Sequence, residues 1–282
     1  MLRLAVAVGI LGIAGGALAV LEAYQMPWRS YDSMEPHDNV QLPSDWNEKT
    51  EWVFGRLMFP NHPNSVFGRF RRGGGRAHWL EGASSWTQDY PRADRHFAQA
   101  LRRLTRIQTR SVEQPVNLDD GDDVYNWPFL FAGELGDWTL DDQQCAKLRD
   151  YLLRGGFLFL DDFWGEEEWD RFNETMRKVF PDRPIVEIDG DDPIFHTVYD
   201  LDERYQVPGQ WVLRGVMRWR SDGAKPKFQG IYDDHGRVMV AITFNSDVGD
   251  GWEWADDPKF PERYASFAMR LGVNYVIYSL TH

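Results

Sequence analysis

Two adjacent carboxylates, Asp161 and Asp162, follow the apolar run Phe157 to Leu160 and precede an acidic helix start at Glu166, Glu167 and Glu168. Strand, turn, helix is the layout in which α/β proteins bind a ligand or hold a nucleophile beyond a strand's carboxyl end. Here the turn offers Asp161, Asp162, Phe163 and Trp164. Adjacent residues leaving a strand point opposite ways. One carboxylate is therefore expected to face a crevice while its neighbour caps the next helix. Paired with Asp191 or Asp192, the inward one has the chemistry of a general acid or base. Glu134 and the acidic run 189–192 also follow predicted strands, which places them at the same kind of position.

Other reactive types are scarce. His196 is the best-placed imidazole, but it has no nucleophile to serve, so a packing or hydrogen-bonding role is expected. The single cysteine, Cys145, sits inside a predicted helix with no histidine beside it in sequence. A thiol needs a base or a helix N-terminus to become reactive. One cysteine also excludes an internal disulfide and a cysteine metal cluster. Asp119, Asp120, Asp122 and Asp123 have the composition of a calcium loop without its spacing. No metal and no cofactor is expected from these patterns.

The elements that must position these groups are legible as alternating periods. Glu51 to Phe59 is a β-rich run. Phe97, Leu101 and Leu104 repeat on one helix face behind Pro91. Pro128 to Ala132 is a short buried strand. Thr139 is the expected N-cap of a second helix, with Asp142 in the capping-box slot, and Gly155-Gly156 ends it. Phe157 to Leu160 is apolar on both faces, as a parallel sheet requires. Trp169, Phe172, Met176 and Val179 line a third helix, and Ile185 to Ile188 is another short strand. Strands alternating with helices predict an α/β fold with a doubly wound, mostly parallel sheet. The stretches 211–220, 227–232 and 237–245 are expected to extend it as a mixed sheet, and an aromatic-rich helix from 260 closes the chain.

The chain has 282 residues, 43% hydrophobic, and a formal charge of −13 from 44 acidic and 31 basic side chains. That balance argues against a nucleic-acid partner. Thirteen tryptophans are many for one domain, and fit a protein that docks on something. One basic island, Arg69, Arg71, Arg72 and Arg76 around Gly73 to Gly75, lacks the endings of a phosphate-binding loop and is expected to be a solvated loop, with docking on an acidic partner or lipid head groups as the rival reading.

After Arg3 an uncharged run extends from Leu4 to Leu21, roughly 27 Å as a helix and long enough to cross a bilayer core. Two fates fit: cleavage after Ala17-Leu18-Ala19, or retention as a transmembrane anchor. Ala5, Gly9, Gly12 and Gly16 share one helical face suited to close helix packing. Tyr24, Trp28 and Tyr31 follow where an interfacial belt belongs, which favours the anchor. Residues 1–24 are thus expected to be a single-pass inner-membrane anchor with a cytoplasmic N-terminus. Residues 25–50, carrying Trp28, Tyr31 and Trp46, are expected to be an extended arm, and residues 51–282 a periplasmic domain.

Several segments together resemble a known bacterial group: 90–107, 125–134, 148–165, 191–201 and 242–254. They are similar to domain-of-unknown-function family 4159, over roughly Trp52 to Tyr278. The resemblance implies a fold like that of class I glutamine amidotransferases. In those enzymes the turn after the equivalent strand bears a catalytic cysteine, and here it bears Asp161 and Asp162. The expectation is therefore a structural or accessory subunit without catalysis, docked on the periplasmic face of a membrane-protein complex, respiratory or photosynthetic in type. The rival expectation is a periplasmic hydrolase or small-ligand-binding protein using the strand-end carboxylates.

Overall fold

A computed structural model describes residues 25–35, 40–63, 78–215 and 219–282. The expected anchor, with Ala5, Gly9, Gly12, Gly16 and Tyr24, and the basic island at 69–76 lie outside the described residues. Among the described residues no helix is long and apolar enough to cross a membrane.

The centre is one seven-stranded sheet in the order β2-β1-β3-β4-β7-β6-β5. The strands are β1 (Gly55–Met58), β2 (Gln114–Asn117), β3 (Phe129–Ala132), β4 (Phe157–Leu160), β5 (Val186–Glu187), β6 (Lys227–Tyr232) and β7 (Val238–Phe244). The first four named in spatial order, together with β7, run parallel. β6 is antiparallel to both β7 and β5. The mostly parallel sheet with a mixed extension thus follows the sequence pattern.

Strand alternation divides the core into two layers. On β4, Leu158 and Leu160 join one cluster with Leu148, Phe172 and Met176. These last residues come from α2 (Asp142–Leu153) and α3 (Gly165–Val179). Phe157 and Phe159 face the other cluster, with Phe97, Trp252 and Tyr275. Those belong to α1 (Arg92–Leu104), α4 (Val248–Glu253) and α5 (Glu262–Thr281). Much of the tryptophan excess is core: Trp52, Trp86, Trp138, Trp164 and Trp252 are each fully buried.

Three local expectations are corrected. The cap of α2 is Asp141, not Thr139. Asp141 Oδ1 accepts from the Gln143 and Gln144 backbones at 2.9 and 2.8 Å, and Gln144 closes the box by accepting from the Asp141 backbone. Thr139 lies two residues before that cap, and its N–H donates to the Pro60 carbonyl at 3.0 Å. Gln210–Arg214, expected as strand, is a 3₁₀ turn closed by Gly215 at φ 67°. The strand β2 was not expected. It is four residues with Pro115 inside, which an edge strand tolerates because one of its sides makes no ladder bonds.

The arm residues touch the domain at several points. The Met26 backbone donates to Asp123 at 2.7 Å, and Tyr31 donates its N–H to the Tyr90 hydroxyl at 3.2 Å. Within the arm Trp28 packs on Trp46 with ring centres 5.1 Å apart, and Tyr31 meets the edge of Trp86 in the domain at 5.1 Å. Asp123 also accepts from the Trp127 indole at 2.9 Å, so this member of the acidic loop ties the arm to the sheet edge.

Candidate functional site

The carboxyl ends of β3, β4 and β7 deliver Glu134, Asp162 and Asp247 to one crevice, with Asp161 directly behind it. The loop before α1 adds Asp89, and α4 adds Asp250. All six are buried. The two adjacent aspartates do separate, but not as expected. Asp161 turns back into the core, accepts from the Thr243 hydroxyl, and takes the Gly249 N–H at 2.8 Å. It thereby caps the first turn of α4 rather than α3. Asp162 faces the crevice, accepting from the Trp164 indole at 2.7 Å and from Arg220 at 3.0 Å.

Arg220 is the cation that crosses this crevice. It forks onto Glu134 at 2.8 and 3.3 Å and lies 3.7 Å from Glu168. Burial works against its charge, and the carboxylates of Asp162, Glu134 and Glu168 outweigh that effect. Asp247 accepts the Asp250 N–H at 2.8 Å, and Asp250 accepts the Trp254 indole N–H at 3.0 Å and the Gln210 N–H. Burial and the charges of Asp250 and Asp247 hold the Asp89 carboxyl well above the usual range. Burial, then Asp162 and Asp250, does the same to Asp247. Burial moves Asp161 up to about 8. Carboxylates this close and this dry cannot all ionise without a proton or a cation among them.

The backbone is strained at the same place. Asp89, Glu134, Asp162 and Asn245 have φ of 58°, 56°, 54° and 60°. Non-glycine residues in this region cost of order 1 kcal/mol each and cluster where function holds them. The cavity left between these groups is about 40 Å³. That is room for an ion with a few waters, far below the several hundred Å³ of an organic-ligand pocket. Gln88, Trp164, Gln210, Trp211 and Trp219 complete its walls.

A family model described as a domain of unknown function, DUF4159, matches residues 77–280. The chain belongs to the DUF4159 family. No curated protein matches the sequence. In this DUF4159 chain the structure joins Glu134 and Asp162 in the crevice, turns Asp161 into the core behind it, and leaves Asp191, Asp192 and His196 out of it. Asp192 caps a 3₁₀ turn and accepts from the Tyr232 hydroxyl at 2.7 Å, at the end of β6 away from the crevice. Asp191 is exposed. His196 bridges the Gly190 carbonyl at 2.9 Å and Asp200 at 3.1 Å, which raises its pKa. The hydrolase pair of an inward carboxylate with Asp191 or Asp192 is not formed.

Cys145 is buried on α2, in the helix layer below the sheet, and burial pushes its thiol up to about 11. The residues that sequence reasoning missed are Asp89, Asp247, Asp250 and Arg220. Asp247 was accessible to the same logic that found Asp161, since it follows the apolar run of β7. Asp89 and Arg220 lie in irregular segments and carried no pattern.

Proposed function

We propose that this DUF4159 chain is a membrane-anchored accessory subunit that binds rather than catalyses. In this reading residues 1–24 remain as an inner-membrane helix whose Ala5, Gly9, Gly12 and Gly16 face packs on a partner's helix. The amidotransferase-like domain then sits in the periplasm and covers that partner's outer surface, in a respiratory or photosynthetic type of complex. The observation that carries the proposal is the crevice: the turn after β4 holds carboxylates instead of a thiol, and the opening between them, about 40 Å³, is small beside a pocket for an organic ligand. The arm residues lying on the domain favour a short, ordered connection between domain and bilayer over a loose tether.

Gentle detergent extraction with identification of co-purifying chains tests this. Integral membrane subunits are expected in stoichiometric amount, and Gly12→Leu with Gly16→Leu is expected to lower their recovery about tenfold, because bulky side chains bar close helix approach. Recovery of the chain only as a lone monomer overturns the proposal.

A second reading, a periplasmic hydrolase or ligand-binding protein, is favoured by the strained carboxylates at the strand ends. It predicts that Asp161→Asn with Asp162→Asn alters growth or metabolite turnover in the native host. Unchanged growth and turnover would sink it.

A further inference from the structure

We propose that the crevice is a binding site for one hard divalent cation, held by Asp89, Asp162 and Asp247, which closes the loop before α1 onto the carboxyl ends of β4 and β7. Each of the three buried residues offers a carboxylate oxygen, and these oxygens all lie within 4.8 Å of one another. Two oxygens on opposite sides of a calcium ion, each bonded at about 2.4 Å, stand about 4.8 Å apart. Three oxygens at that limit stand about 2.8 Å from their common centre, so small side-chain rotations suffice to bring them to calcium distance. A magnesium ion, bonded at about 2.1 Å, needs a slightly tighter set. All three donors are oxygen and none is nitrogen or sulfur, which selects calcium, magnesium or manganese over zinc or copper.

Acidic clusters alone do not make a site, and a separate observation concerns Asp89. It is 3% exposed, and its carboxylate accepts no hydrogen bond and forms no ion pair among the described residues. Asp162 has Arg220 and Trp164, and Asp247 has the Asp250 N–H. Asp89 shares one group of close oxygens with Asp162 and Asp247 and another with Glu35 and Glu253; the Arg56 guanidinium acts on it electrostatically but makes no hydrogen bond or ion pair with it, being committed to Asp94 and the Gln88 carbonyl. Burying a carboxylate with no hydrogen bond disfavours its charged form, and the Asp89 backbone is in the left-handed region, φ 58°. Arg220 reaches Asp162 at 3.0 Å, and a divalent cation between the three oxygens would offset the charge that remains. The adjoining 40 Å³ cavity holds the waters that complete the coordination. The cation would act as a staple, since its ligands come from positions 89, 162 and 247, far apart in sequence. This inference does not depend on the membrane-subunit reading.

The test uses the purified full-length chain in detergent, stripped with a chelator and then titrated with calcium, magnesium or manganese chloride. One millimolar calcium is expected to raise the melting temperature by at least about 5 °C, the response of a chain this size to a ligand well above its Kd. Terbium gives a readout independent of stability. Trp164 bonds directly to Asp162, so excitation of its indole should sensitise terbium emission at least fivefold over free terbium, and calcium should quench it by competition. Asp89→Asn is expected to remove both responses. Asparagine keeps the shape and tolerates positive φ, and it removes an unpaired charge, so the chelated variant should melt no lower than the chelated wild type. Asp247→Asn is the second variant, with the same two losses expected. No melting shift and no sensitised emission in the wild type, or responses of full size in both variants, would overturn the proposal.

Discussion

Replacing Trp252 by Ala should destabilise the domain by about 4 kcal/mol, close to the whole margin of many proteins. Trp252 is fully buried on α4. Its ring stacks on Phe97 at 4.5 Å, meets Phe131 at 5.2 Å, and lies 5.9 Å from Phe54 and from Phe159. One side chain thus joins α1, the entry to β1, β3 and β4. The neighbours cannot collapse into the gap, because Gly272 already lets α5 approach as near as it can: a Cβ there would stand 2.5 Å from Phe97 and 2.9 Å from Trp252. Equilibrium urea unfolding is the measurement. Trp252→Phe should recover most of the loss and leave about 1 kcal/mol for the missing indole bond to the Ala268 carbonyl. A loss below about 1 kcal/mol for the alanine variant would mean that the aromatic layer is not what ties α4 to the sheet.

The second large effect is expected at a buried ion pair. Arg56 on β1 is 1% exposed and its partner Asp94 on α1 is 0% exposed. The guanidinium bonds Asp94 with Nε at 3.2 Å and with Nη2, gives Nη1 to the Gln88 carbonyl, and covers the Phe131 ring at 4.8 Å. Arg56→Met strands an ionised or reprotonated Asp94 in the core and should cost about 3–5 kcal/mol. Asp94→Leu strands the arginine, with a similar loss. The two together should cost less than their sum by at least about 2 kcal/mol, because neither charge is then left alone. A double-mutant cycle in urea measures that coupling, and simple additivity would show that the pair contributes nothing as a pair.

The parts of this molecule that its sequence announced are those where one physical demand acts locally. A strand buried on both faces must be apolar at every position, so Phe157 to Leu160 and Val238 to Phe244 were plain. A helix against a sheet repeats its apolar residues, so Phe172 and Met176 were plain too. Glu134, Asp161 and Asp162 followed from those strands, since the residue after a buried strand is where the sheet opens. What stayed hidden depends on which strands become neighbours. β5 follows β4 in the chain, and consecutive strands are often adjacent. Here β7 takes the place beside β4, and β5 is displaced to the edge beyond β6. That displacement carries Asp191, Asp192 and His196 away from the crevice and brings Asp247 and Asp250 into it. Arg220 was hidden for a related reason. Its segment has the composition of a strand, but the Gln210 N–H is captured by Asp250 and the chain folds into a turn over the crevice mouth.

The two margins of the sheet bear on how copies behave when crowded on a surface. On one margin β2 is four residues long, interrupted by Pro115, and Gln114 lies against the arm near Met26. On the other, β5 is two residues long. Open strand edges recruit further strands from neighbouring molecules, and short, proline-bearing or covered edges resist it. A sheet finished in this way gives an adjacent copy almost no backbone to pair with, so molecules held side by side at high density can stay separate without a chaperone to keep them apart.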